Sequence, residues 1–148
     1  MFTAQDLLRQ KGRTGYLAVS ADDTVLEALR VMAEARIGAV LVREGDRIVG
    51  IYTERDYLLK GELQGRVASQ TPVREVMTTQ MITVTPNASV EECLRLMNEY
   101  GVRHLPVVDQ GRVVGILSIR DVLFAALAAR ESEIRGLENF ILGSSFQT

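Results

Sequence analysis

Two short stretches of this chain could do chemistry. Thr53-Glu54-Arg55-Asp56 and Ser118-Ile119-Arg120-Asp121 each place a hydroxyl three residues before a carboxylate, with an arginine beside the acid. Both follow apolar runs that begin with Gly-Ile, at Gly50-Ile51-Tyr52 and at Gly115-Ile116-Leu117. Where a strand turns into a helix, a hydroxyl and free backbone N–H groups form a natural seat for a phosphate or ribose oxygen. A carboxylate in the first helical turn can accept two hydrogen bonds from a vicinal diol, each charge-assisted bond being worth about 1.5–3 kcal/mol. The same spacing also makes a capping box, with Asp in place of Glu, in which hydroxyl and carboxylate satisfy the helix start and bind nothing else. Both readings stand on these residues.

Other chemistries find little support. His104 is the only histidine, so a multi-histidine metal cage is excluded and no metal is expected. Cys93 is the only cysteine, so no intrachain disulfide can form; it falls on an apolar helical face and reads as core packing. Met32, Met81 and Met97 read as core or interface filling. No Gly-x-Ser-x-Gly elbow, phosphate-binding Walker loop or acid–base carboxylate pair is found, so no catalytic residue is expected. A net charge of −2 and a pI near 5.5 leave no electrostatic footprint for nucleic acid or anionic lipid. No apolar run reaches the roughly 18 residues of a membrane span, and Met1-Phe2-Thr3 opens no signal peptide. The expectation is a cytoplasmic protein.

The elements that must position the two stretches come in duplicate. The stretches lie 65 positions apart, and that spacing holds upstream: Val19 matches Val84, Val25 matches Val90, Leu29-Arg30 match Leu94-Arg95, and Met32 matches Met97. A repeat of this length is one supersecondary unit, two of which can bury each other's apolar face. In the first copy, strands are expected over 16–19, 39–42 and 47–52. Thr24 caps a helix with Val25, Leu29 and Met32 on its buried stripe, closed by Gly38, and Thr53 caps a helix reaching about Lys60. The second copy repeats this with strands over 82–84, 105–108 and 112–117, a helix capped by Ser89, and a last helix from Ser118 to about Leu137. Thr3 and Asp6 can cap an N-terminal helix that Gly12 and Gly15 break, Val73 to Met77 reads as a brief helix, and 139–148 reads as a loose or docking tail. The division is 1–15 leader, 16–61 first motif, 62–80 linker, 81–130 second motif, 131–148 extension.

This order, twice over, with Gly-Ile-x-(Thr/Ser)-x-Arg-Asp closing each copy and Gly101-Val102-Arg103-His104-Leu105-Pro106-Val107-Val108-Asp109 in the second, resembles a tandem pair of cystathionine β-synthase (CBS) domains. The resemblance covers roughly residues 16–130. It implies an α/β (α+β) fold of two β-α-β-β-α motifs related by pseudo-two-fold symmetry. It further implies a regulatory sensor that binds an adenine nucleotide (AMP, ADP or ATP) or NAD(H), homodimerises through the helices after the two Asp loops, and signals to a regulated protein whose identity the residues do not give. By the same resemblance Asp56 and Asp121 hold ribose, while Thr53, Ser118, Arg55, Arg120, Arg103 and His104 serve ribose or phosphate. Pockets are implied crosswise, Ile51 with Thr83 and Val102 around one adenine, Ile116 with Ala18, Ile37 and Gly38 around the other. The alternative is a constitutive dimerisation scaffold with a vestigial pocket.

Overall fold

A computed structural model of the chain describes residues 2–11 and 16–146. The chain is mixed α+β and separates into two compact units: one gathers residues 2–11, 82–109 and 115–146, the other 16–81 and 110–114.

The unit built on the first copy has a three-stranded sheet in the order β1-β2-β3, from β1 (Ala18–Ser20), β2 (Ala39–Glu44) and β3 (Arg47–Thr53). β1 runs parallel to β2 with Val19 opposite Val42, and β2 pairs antiparallel with β3. α2 (Val25–Ala35), capped by Thr24, buries Val25, Ala28 and Met32 against Val19, Val40, Val42 and Tyr52. The helix does not run to Gly38. It closes on Arg36, a non-glycine residue in the left-handed region (φ 56°), where the second copy has Gly101 (φ 64°). After Thr53 the helix expected to reach Lys60 is one short turn, α3 (Glu54–Asp56), followed by a wider π turn over Tyr57–Gly61 and a 3-10 turn over Glu62–Gln64. Gly61, at φ −101° and ψ −83°, breaks the helix where the second copy carries Ala126.

The unit built on the second copy holds α4 (Val90–Tyr100), capped by Ser89, and the hairpin of β4 (His104–Asp109) and β5 (Arg112–Ser118), which leads into α5 (Ile119–Phe146). The strand expected over 82–84 survives only as one parallel bridge, Val84 to Val107. Proline explains the loss. In the first copy Leu41 N–H donates to Leu17 O (3.2 Å) and Ala21 N–H to Arg43 O (2.8 Å). Their counterparts are Pro106 and Pro86, which have no N–H to donate. Cys93 is fully buried, as its helical face suggests, and burial pushes its thiol up to about 11. α5 outruns expectation: it takes in most of the segment read as a loose or docking tail, and every described side chain from Arg130 to Leu142 is exposed. The Gly12 and Gly15 breaks lie outside the described residues.

The leaders are exchanged between the copies. α1 (Ala4–Gln10) opens on a complete Thr3–Asp6 capping box and packs Ala4 and Leu7 into the core of the second copy, with Ala4 N–H bonded to Ala88 O (2.8 Å) and Gln5 N–H to Pro86 O (3.0 Å). The 3-10 turn Val73–Glu75, in place of the brief helix expected there, packs Val73 into the first copy. There Val73 N–H bonds Asp23 O (2.8 Å) and Arg74 N–H bonds Ala21 O (3.0 Å). The two leaders make the same bonds at a spacing of 69 rather than 65.

Candidate functional site

The first Asp loop is closed on itself. Thr53, extended at the end of β3, accepts at Oγ1 from Asp56 N–H (3.2 Å). Asp56 Oδ2 in turn accepts from the Thr53 N–H (3.0 Å) and hydroxyl (3.1 Å), which completes the capping box. Oδ1 accepts from the Thr78 hydroxyl (2.9 Å) and pairs with Lys60 Nζ (3.0 Å), which also donates to Thr78 Oγ1 (3.2 Å). Asp56 is 6% exposed, so a carboxylate with both oxygens engaged is also nearly sealed from solvent. The leader of the second copy holds this arrangement from one side: Ile51 and Thr78 exchange backbone bonds of 2.9 and 2.8 Å. Gly50 permits the approach, since a Cβ there would stand 2.8 Å from Thr78 O and 3.0 Å from Met77 Sδ. Close by, the fully buried Tyr52 hydroxyl has no hydrogen-bond partner among the described residues, and burial, with the Asp56 charge adding, pushes it up to about 12.

The second Asp loop is open on one side. Ser118 N–H donates to Asp121 Oδ2 (2.8 Å) and Asp121 N–H donates to Ser118 Oγ (3.2 Å), so the cap is reciprocal here too. Oδ2 also pairs with Lys11 Nζ at 2.9 Å, and Lys11 makes a second bond to Ile116 O at 2.9 Å. Oδ1 takes no hydrogen bond among the described residues, and the side chain is 22% exposed. α1 reaches the loop because Leu8 packs on Gly115, where a Cβ would stand 2.6 Å from Leu8 Cδ2. His104 is half-buried near this loop. Its pKa is held below the usual value by burial first and then by the Lys11 ammonium; Asp121 opposes and Arg103 adds a smaller push.

The remaining candidates divide copy by copy. Ile119 N–H donates to Arg103 O (2.8 Å) and Glu54 N–H to Gly38 O (3.1 Å), so the loop before each central strand is tied to the Asp loop of its own copy. Arg103 and His104 therefore group with Ser118 and Asp121 within one unit, and Gly38 with Thr53 within the other. Ile37 and Gly38 line a cleft of about 380 Å³ with Leu29, Met32, Ala33, Arg36 and Glu54. Val102 and Ile116 are half-buried, Ile51 is buried in β3, Ala18 is half-buried in β1, and Thr83, Arg55, Arg103 and Arg120 are exposed. The Arg120 guanidinium lies over the Phe124 ring, 5.6 Å from its centroid. Lys11, Lys60 and Thr78 touch the two carboxylates and were not singled out in the sequence; Lys60, four residues after Asp56, was the one signal available there. Among the described residues no group of three or more His, Cys, Asp or Glu is placed to hold a metal ion, and no helix is long and apolar enough to cross a membrane.

The sequence profile of the CBS domain matches residues 5–60 and 73–128, so both matches take in a leader. The chain is 36% identical over 149 residues to the CBS domain-containing protein CBSX3, mitochondrial, of Arabidopsis thaliana, covering 95% of this chain and 72% of that one. Among solved structures, the CBS domain protein NE2398 superposes with a TM-score of 0.80 at 41% identity, covering 85% of this chain and 98% of that one. The CBS domain protein PAE2072 of Pyrobaculum aerophilum, solved in complex with AMP, superposes with a TM-score of 0.69 at 27% identity over 81% of this chain and 89% of that one.

Proposed function

Because this chain belongs to the CBS domain family and carries two CBS domains in tandem, we propose that it is a non-catalytic regulatory module that binds an adenine nucleotide and passes the binding on to a partner protein. The observation that carries this reading is the second Asp loop, where Asp121 keeps one carboxylate oxygen without a partner among the described residues. A related protein of the same fold binds AMP. In this reading Asp121 accepts from the ribose hydroxyls through Oδ1. Ser118, Arg103, His104 and Arg120 face ribose and phosphate, and Ile116 and Val102 flank the purine. AMP, ADP, ATP and the adenosine half of NAD(H) all present these groups.

The first loop favours the second reading, a scaffold role, for its own half of the chain. Asp56 cannot take a ribose without giving up Thr78 and Lys60, so Thr53, Arg55 and Asp56, with Ile51, bind a nucleotide only if that clasp opens. Ala18, Ile37 and Gly38 would flank a purine under the same condition.

The test is a thermal shift with AMP, ADP, ATP, NAD and S-adenosylmethionine. A ligand at a hundred times its dissociation constant adds about 2.7 kcal/mol, or several degrees. A flat response to all five would leave only the scaffold. We also assign the module a homodimer through α5 and the helical turn after Asp56. A cytoplasmic setting suits its single buried thiol.

A further inference from the structure

We propose that Lys11, on the leader helix α1, is the phosphate contact of the second Asp loop and gives that loop its preference for a nucleotide over a nucleoside. The inference rests on the nucleotide reading above and adds to it a residue from outside the repeated motif. An ammonium has three donors and no acceptor. Lys11 spends two, on Asp121 Oδ2 and on Ile116 O, both at 2.9 Å. Among the described residues one donor remains, on a side chain that is 29% exposed, beside a carboxylate whose Oδ1 takes no hydrogen bond there either. The pair therefore offers an acceptor and a cationic donor side by side, the complement of a ribose that carries a phosphate.

Charge points the same way. A nucleotide brings its phosphate to within a few ångströms of the carboxylate that holds its ribose, and two anions at that distance repel unless a cation stands with them. His104 does not supply that cation at neutral pH, because burial and Lys11 itself hold its pKa below the ordinary value. Arg103 and Arg120 are exposed and neither pairs with Asp121 among the described residues, whereas Lys11, exposed as well, is held by its ion pair with Asp121 and its bond to Ile116 O. It closes α1, whose Leu8 sits on Gly115 and whose first residues are bonded to Pro86 and Ala88.

Calorimetric titration of the full chain with AMP and with adenosine tests this, using wild type, Lys11→Gln and Lys11→Arg. Lys11→Gln is expected to lower AMP affinity about ten- to a hundredfold, the span of one charge-assisted bond, with adenosine affinity unchanged. Lys11→Arg should keep most of the preference for AMP. Unchanged AMP affinity in Lys11→Gln, or equal losses for both ligands, would overturn the proposal while leaving the nucleotide reading intact. Failure of wild type to bind either ligand would overturn both. If Lys11→Gln does not fold, Lys11→Met, which keeps the apolar stem, takes its place; unfolding of both variants would assign Lys11 to the fold alone and overturn the proposal.

Discussion

His104 carries the only imidazole of the chain, and its surroundings disfavour the cation, burial most of all and Lys11 next. A histidine whose folded pKa lies below its unfolded value of about 6.5 binds fewer protons folded than unfolded between those two values. Stability should therefore fall as the pH drops from about 6.5 toward the folded pKa, by at most about 1.4 kcal/mol per pH unit for this one group. Denaturant melts of wild type and His104→Gln between pH 7.5 and 5 check this; a wild-type slope identical to that of the variant would contradict it. The hydroxyl and carboxylate spacing of the two loops was legible in the sequence, and both turn out to be reciprocal caps. What the spacing could not reveal is what else reaches each carboxylate. Thr78 and Lys11 come from segments distant in sequence, and it is these partners that close Asp56 and leave Asp121 half open.

At the scale of elements, the duplicated order of helices and strands follows from the apolar periodicity at a spacing of 65, and Val19–Val42 is matched residue for residue by Val84–Val107. The reduced strand of the second copy was also written in the sequence, as Pro86 and Pro106, although a periodicity count does not weigh a missing N–H. The leaders escaped because their spacing is 69: Ala4 matches Val73, Leu7 matches Val76 and Leu8 matches Met77 only once a four-residue gap is allowed. Both leaders seat on the glycine that opens a Gly-Ile run, but against different atoms. At Gly50 a new Cβ would meet the Thr78 backbone carbonyl, which cannot swing away, whereas at Gly115 it would meet the ends of the Leu8 side chain. Gly50→Ala should therefore cost about 1–3 kcal/mol by overpacking and Gly115→Ala less. Urea unfolding of the two variants decides this, and a larger loss at Gly115 would contradict it.

For the whole molecule, the proposed homodimer turns on α5. Val122 and Ala125 are buried within their own unit. Leu123, Phe124 and Leu127 are exposed, as are Leu58 and Leu59 after the first Asp loop. Beyond them Ile134 and Leu137 continue the apolar row, three residues apart and exposed. Helices in water draw most of their stability from packing an apolar face, which suits the proposed homodimer. A second copy offers the same row through a two-fold axis. Light scattering at micromolar concentration should give about twice the 16.4 kDa chain mass, reverting to the single mass in Leu123→Glu; a wild-type mass near one chain would exclude the dimer. The central claim concerns the ligand, and calorimetric stoichiometry reaches it most directly. Titration with AMP is expected to show one equivalent bound per chain, abolished or weakened by one to two orders of magnitude in Asp121→Ala and preserved in folded Asp56→Ala. Unchanged affinity in Asp121→Ala, or no heat of binding with wild type, would contradict it.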